Sequence, residues 1–149
     1  MLEELESKLL DVNDRIINLE VYIFEKKQEL VDAFNGLCIN RNTACLIYGE
    51  IKNWDISKIT DLSNLFFEKS TFGNSDRDNI SNWNTSNVTD MSGMFYGATD
   101  FNKDIRRWII QIMTNVNLIF YEATGMISIY RNEISYCTPI RSPDFFNQL

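Results

Sequence analysis

The chain has 149 residues, no histidine and a net charge of −7. This length suits one modest domain with an appendage. The missing histidines remove the usual general base and most zinc sites, and the lack of a basic stripe argues against nucleic-acid binding.

Residues 1–34 carry an apolar heptad pattern that predicts a long coiled-coil-type helix. The segment holds nine acidic and four basic residues, so most of the net charge lies on its exposed faces. Its charges do not decide the partner or the helix orientation, and its core residues leave dimer and trimer open. The alternative is that the helix folds back as a cap on the rest of the chain. The residues predicted to contact a partner helix are Leu2, Leu5, Leu9, Val12, Ile16, Leu19 and Ile23.

Residues 35–50 are predicted to form a short helical cap. Two short helical stretches lie around this region, at 30–37 and 42–48, and Gly49 suits the end of the second. The end of a repeat array exposes apolar core unless another segment covers it, which is the role expected here.

Residues 51–130 contain one apolar template three times. Each copy has Trp, an aliphatic residue or Met five positions later, another at eight, and Phe at twelve. The second copy starts 29 residues after the first and the third 25 after the second, and the four extra residues fall in a polar loop at 73–79. The predicted repeat core consists of Trp54, Phe66, Trp83, Phe95, Trp108 and Phe120.

This spacing predicts a short strand flanked by turns in each copy, with the Phe closing a return layer. A repeat unit cannot bury its apolar face alone, so stacked copies are expected. The tryptophans are therefore interpreted as a core column rather than a ligand platform.

The strings NWDISKITDLSNLFF and NWNTSNVTDMSGMFYGATDFNKDI resemble the repeat of the BspA-like leucine-rich surface proteins. The resemblance covers residues 51 to about 130. It implies a short right-handed leucine-rich-repeat-like solenoid of the α+β class, here preceded by the long N-terminal helix. It also implies binding to proteins or surfaces without catalysis, in bacterial surface proteins, protists and large DNA viruses.

The third copy departs from this pattern at two polar positions. Asp55 and Asn84 are replaced by Ile109, and Lys58 and Asn87 by Ile112. An exposed apolar patch here would mark a docking face. The alternative is that residues 131–149, a C-terminal cap or docking tail with Phe145 and Phe146, fold over the patch.

Chemistry and targeting signals are sparse. The chain has no phosphate-binding glycine motif, and its three cysteines lack C-x-x-C spacing and are typical of reduced, buried thiols. We expect no enzyme activity, no cofactor and no metal. No standard export signal or apolar span is present, so an intracellular or virion-associated protein is expected.

These patterns predict a structural adaptor that binds other proteins. Its partners would be further copies of itself, through the N-terminal helix, or structural proteins of a larger assembly, and we expect an oligomer. A minor component of a large DNA virus particle would fit. The alternative is an adhesin-like module that binds a host protein or glycan through the repeat surface.

Overall fold

The computed structural model describes residues 3, 6 and 21–129 of the chain. Between 21 and 129 it contains three α-helices and two single-turn 3₁₀ helices. The α-helices are α1 (Lys27–Ile39), α2 (Arg41–Tyr48) and α3 (Thr124–Ile129), and the 3₁₀ helices are Ile51–Asn53 and Asp76–Asp78.

The predicted fold class is wrong, because the described residues form no strand. Extended pairing is limited to isolated parallel bridges, which join Ile23 to Asp55, Asp61 to Asp90, and Asp90 to Asn115. A leucine-rich-repeat-like solenoid would need a sheet of strands along one side. The repeats are built from turns instead.

The predicted continuous helix over residues 1–34 is also wrong, because the structure interrupts it. Residues 21–26 are not helical, and α1 begins only at Lys27. Phe24 is fully buried and packs 4.9 Å from the ring centroid of Trp54, whereas Ile23, which the heptad pattern would bury, is 47% exposed. Tertiary packing of Phe24 therefore outweighs the heptad pattern in this segment.

The two longer helices cover the first repeat. In α1 the buried residues Leu30, Ala33, Phe34 and Leu37 follow the three-four spacing of one helix face. Phe34 contacts Phe66, with 4.7 Å between ring centroids. The predicted boundary between residues 34 and 35 therefore falls inside α1.

Local signals set the ends of these helices. The Glu29 carboxylate accepts the backbone N–H of Lys26, a capping interaction at the start of α1. Asn40 caps α2 by accepting the N–H of Thr43 at 3.2 Å. Gly49 ends α2 with a φ of +73°, a conformation that glycine adopts without strain.

The three repeats form stacked turns of chain, which we name coil 1 (51–79), coil 2 (80–104) and coil 3 (105–129). Within residues 62–68 of coil 1 and 91–97 of coil 2, every second backbone N–H donates to a carbonyl of the next coil. Hydrogen bonds from residue i+3 to residue i make turns within the same stretches. From coil 1 to coil 2 the donors and acceptors are Leu62 to Asp90, Asn64 to Ser92, Phe66 to Met94 and Glu68 to Tyr96; from coil 2 to coil 3 they are Met91 to Asn115, Gly93 to Asn117, Phe95 to Ile119 and Gly97 to Tyr121.

Left-handed backbone interrupts the part of each coil that makes the alternating hydrogen bonds to its neighbour. Two positions of each coil, ten and fourteen residues after its Trp, have φ between +54° and +66°. Such residues interrupt the run of extended residues that a strand requires. The residues concerned are Asn64 and Glu68, Gly93 and Gly97, and Leu118 and Glu122.

Two aromatic columns run through the stack. Trp54, Trp83 and Trp108 lie with their ring centroids 6.4 and 6.5 Å apart, and the interplanar angles are 15° and 3°. The second column consists of Phe66, Phe95 and Phe120, whose neighbouring centroids are 5.4 and 5.5 Å apart.

Hydrogen bonds from the indoles fix the Trp column. The Nε1–H of Trp83 donates to the carbonyl of Ile51 at 2.9 Å, and that of Trp108 donates to the carbonyl of Ile80 at 3.1 Å. Each buried indole thereby satisfies its only donor on the preceding coil.

Candidate functional site on the third coil

The turn that follows the Trp comes one residue later in coil 3 than in coils 1 and 2. In coil 1 the turn is closed by the Ile59 N–H donating to Ile56 O at 2.8 Å, and in coil 2 by Val88 N–H donating to Thr85 O at 3.0 Å. The position equivalent to Ile59 and Val88 is Met113. In coil 3, however, it is the next residue, Thr114, whose N–H closes the turn, by donating to Gln111 O at 2.9 Å.

The missing side-chain cap accounts for this shift. Asp55 accepts the N–H of Ser57 at 2.8 Å, and Asn84 accepts the N–H of Ser86 at 3.1 Å. Hydrogen bonds from the Ser57 side chain and from its backbone N–H lower the pKa of the Asp55 carboxyl. Ile109 occupies the equivalent position in coil 3 and has no side-chain oxygen that could accept a backbone N–H of the turn.

The later turn leaves Met113 in solvent, beside two other exposed apolar side chains. Met113 is 87% exposed, although its counterparts Ile59 and Val88 are buried. Ile112 is 76% exposed and Ile109 is 55% exposed. We name Ile109, Ile112 and Met113 the apolar turn.

Hydrogen bonds to coil 2 hold the backbone of the apolar turn. The Thr85 hydroxyl accepts the N–H of Ile109 at 2.9 Å and donates to its carbonyl at 3.0 Å. At the other end, the Thr114 hydroxyl donates to the carbonyl of Val88 at 3.0 Å. The turn therefore presents its apolar side chains from an anchored backbone.

The structure locates some of the residues predicted from the sequence. All six predicted repeat-core residues are buried, and Ile109 and Ile112 are exposed on coil 3. Ile23 is half-exposed and bridges to Asp55. Phe145, Phe146 and the predicted partner-helix residues Leu2, Leu5, Leu9, Val12, Ile16 and Leu19 lie outside the described residues.

Met113 is the residue that sequence reasoning placed incorrectly. Its position five residues after Trp108 predicted a core side chain like Ile59 and Val88. The available signal was the replacement of Asp55 and Asn84 by Ile109, because it removes the oxygen that fixes the turn. That replacement indicated exposed apolar residues but not the later turn.

The polar column at Asp61, Asp90 and Asn115 serves the coil corners. Each side chain accepts the backbone N–H of the residue two positions later, at 2.7, 2.8 and 3.2 Å.

No group of three or more His, Cys, Asp or Glu residues suited to a metal ion occurs in the described part of the chain. None of the helices within 21–129 is long and apolar enough to cross a membrane.

Residues 30–140 match a protein family described as "Mycoplasma protein of unknown function, DUF285". The match includes all three coils, most of α1 and the whole of α2, and it is consistent with the resemblance to BspA-like proteins. No curated protein and no solved structure matches the chain. Because the matched region spans most of its length, the chain belongs to the DUF285 family.

Proposed function

We propose that the chain is a protein-interaction module that binds a partner protein through the apolar turn of coil 3. The observation that carries this proposal is the exposure of Ile109, Ile112 and Met113 at positions where coils 1 and 2 are polar or buried. Exposed apolar side chains grouped on one turn are typical of a protein contact surface.

The anchoring of the turn supports a binding role over a simple defect of the last coil. Thr85 and Thr114 both tie its backbone to coil 2. Leu118, which adds a further exposed apolar side chain to coil 3, keeps a φ of +56° that is unfavourable for leucine. Strained or exposed residues on an ordered scaffold are typical of functional surfaces.

The finer predictions from the sequence remain part of the proposal. We infer that the three coils are BspA-like repeats of a non-enzymatic adaptor that joins a larger assembly. The setting in a large DNA virus particle stays a prediction from composition and the resemblance.

Site-specific photo-crosslinking of the full chain tests the docking surface. A photoreactive amino acid at position 112 should yield a discrete adduct with another polypeptide, in cells that make the protein. The matched control carries the same group at Asn117, which is exposed on the same coil. An Ile109→Asp substitution should remove the adduct at position 112 because it places a charge on the apolar turn.

Three results would contradict the proposal. The first is no adduct from position 112, and the second is equal adduct formation from positions 112 and 117. The third is an adduct confined to the same molecule in residues 130–149, which would mean that the tail covers the turn. A crosslinked pair of chains would identify a second copy as the partner.

A further inference from the structure

A cavity of about 270 Å³ lies between α1, α2 and the end of coil 1, which includes the inserted polar loop at 73–79. Its apolar side is formed by Phe34, Leu37 and Phe72. The polar side chains that line it include Arg41, Lys69, Thr71, Asn74 and Asp78. The cavity is smaller than the roughly 300–1,000 Å³ of sites for drug-sized ligands, so a small ligand would fit it.

The Arg41 guanidinium lines this cavity and is incompletely paired. Its Nη2 pairs with Asp78 Oδ1, but its Nη1 is buried and has no hydrogen-bond partner within the described residues. Buried N–H groups of a charged side chain are rarely left unpaired, because water no longer solvates them. Asp78 alone therefore does not satisfy all the donors of this guanidinium.

Hydrogen bonds from the loop hold the Asp78 carboxylate in place, so that it accepts from Arg41 Nη2 but not also from Arg41 Nη1. It is 3% exposed, and its Oδ2 accepts the backbone N–H groups of Gly73 and Ser75 at 3.1 and 3.4 Å. A second ion pair, Arg77 Nη2 to Glu50 Oε1 at 2.6 Å, ties the loop to the start of coil 1. The loop is thus fixed against the helices rather than free to refill the cavity.

The charges that line the cavity leave an excess of one positive charge. Arg41 is balanced by Asp78, while Lys69 forms no ion pair with any described residue. Cys38 lines the same cavity, and the partial burial of this otherwise exposed residue raises the pKa of its thiol, although Lys69 and Arg41 act in the opposite direction. The neutral thiol does not cancel the charge of Lys69.

We propose that this cavity binds a phosphate-sized oxyanion, with Lys69 and the Arg41 guanidinium as the charged groups that line it. Guanidinium and ammonium groups pair strongly with phosphate oxygens, and the Thr71 hydroxyl and Asn74 amide offer further neutral donors. The ligand is either free phosphate or the phosphoryl group of a larger molecule. This site lies on α1, α2 and the loop, so it is separate from the apolar turn of coil 3.

The proposal also gives the inserted loop a role. Asn74, Ser75 and Asp78 all come from the stretch 73–79 that lengthens the first repeat relative to the second. A repeat of 25 residues would lack the segment that closes this side of the cavity.

A calorimetric titration of the full chain with inorganic phosphate, which measures the binding affinity, tests the site. Lys69→Met should weaken phosphate binding by about tenfold, the loss expected for one charge-assisted interaction. Lys52→Met is the matched control because Lys52 is exposed and does not line the cavity, and it should leave the affinity unchanged. Equal affinities for the wild type and Lys69→Met, or an equal response to chloride at the same ionic strength, would overturn the proposal.

Alkylation of the cysteines by iodoacetamide gives a second readout in the same molecule. Cys38 is exposed at the cavity, contrary to the buried thiol expected from the sequence, and Cys45 does not line the cavity. Phosphate should slow the alkylation of Cys38 but not of Cys45. If phosphate leaves both alkylation rates unchanged, the result counts against the site. Repeating the titration with O-phosphoserine separates the two sources: tighter binding than inorganic phosphate indicates a phosphoryl group on a larger molecule, and weaker binding indicates free phosphate.

Discussion

Coils 2 and 3 share one apolar template but present it differently. Coil 2 has Asn84 to cap the turn that follows Trp83, and Val88 is buried. Coil 3 has Ile109 at the capping position, its turn comes one residue later, and Met113 is 87% exposed. One side-chain oxygen therefore decides whether an apolar residue belongs to the core or to the surface.

Coil 2 is packed between the other two coils. Its Phe95 stacks on both Phe66 and Phe120. The apolar residues of coil 2 are therefore constrained from two sides.

The largest expected effect comes from placing a charge at the same template position in each coil. Val88→Asp should lower the free energy of unfolding by at least about 4 kcal/mol, because it buries a carboxyl group in an apolar column. Met113→Asp should change it by no more than about 0.5 kcal/mol, since that side chain is in solvent. Urea denaturation of both variants provides the comparison.

Val88→Ala keeps this test informative if Val88→Asp does not fold. It should cost about 1–2 kcal/mol through the lost methyl groups and the cavity left behind. Similar losses for Met113→Asp and Val88→Asp would show that coil 3 buries Met113 as the simple template requires.

The aromatic columns could be predicted from the sequence because their chemistry is repeated at fixed spacing. Trp83 and Trp108 lie 25 residues apart, each has Phe twelve residues later, and large aromatic side chains are strongly driven into a core. The inserted loop does not disturb this register, since Trp54 still stacks on Trp83.

The turn-based backbone could not be predicted from the same spacing. A period that places apolar residues inside a coil is compatible with short strands or with successive turns. The left-handed conformation of Glu68, Leu118 and Glu122 has no clear sequence signal, because none of these residues favours it. Only Asn64, Gly93 and Gly97 gave a local indication of it.

The N-terminal heptad pattern failed at 21–26 for a tertiary reason. The pattern assigns Ile23 to the apolar seam, but Phe24 is the residue that packs against Tyr48 and Trp54. The bridge between Ile23 and Asp55 then holds this segment extended. A local pattern carries no information about such a distant contact.

Left-handed residues give a second, smaller test of the coil comparison. Leu118→Asn should stabilise the chain by about 1 kcal/mol, because asparagine tolerates a positive φ and Leu118 is 59% exposed. Asn64 occupies the equivalent position in coil 1, so Asn64→Leu should destabilise the chain by a similar amount. Thermal denaturation measures both changes.

The sign of each change identifies its cause. Destabilisation by Leu118→Asn would mean that Leu118 contributes more through packing than it costs through strain. In that case coil 3 would use Leu118 as a core residue despite its exposure.

The corners that lead into coils 2 and 3 give the smallest expected effect, which depends on pH. Asn79 accepts the N–H of Ser81 before coil 2, and Asp104 accepts the N–H of Arg106 in the same way before coil 3. The hydrogen bond and charge of the Arg106 guanidinium lower the pKa of Asp104 to about 2. The stabilisation is therefore complete above pH ~4, the usual pKa of Asp, and is lost as the pH falls toward 2.

Asp104→Asn should remove this contribution while keeping an oxygen for the corner hydrogen bond. The pair is about half exposed, so solvent screening limits its contribution to about 0.5 kcal/mol or less. Between pH 6 and pH 2.5, the urea midpoint should fall slightly less for Asp104→Asn than for the wild type.

Asn79→Asp is the converse variant. Position 79 has no counterpart to Arg106, because Ser81 stands there, so the added carboxyl should not reproduce the acid sensitivity. An equal acid sensitivity in Asn79→Asp would show that the corner hydrogen bond, and not the arginine, sets the pKa of such a carboxyl.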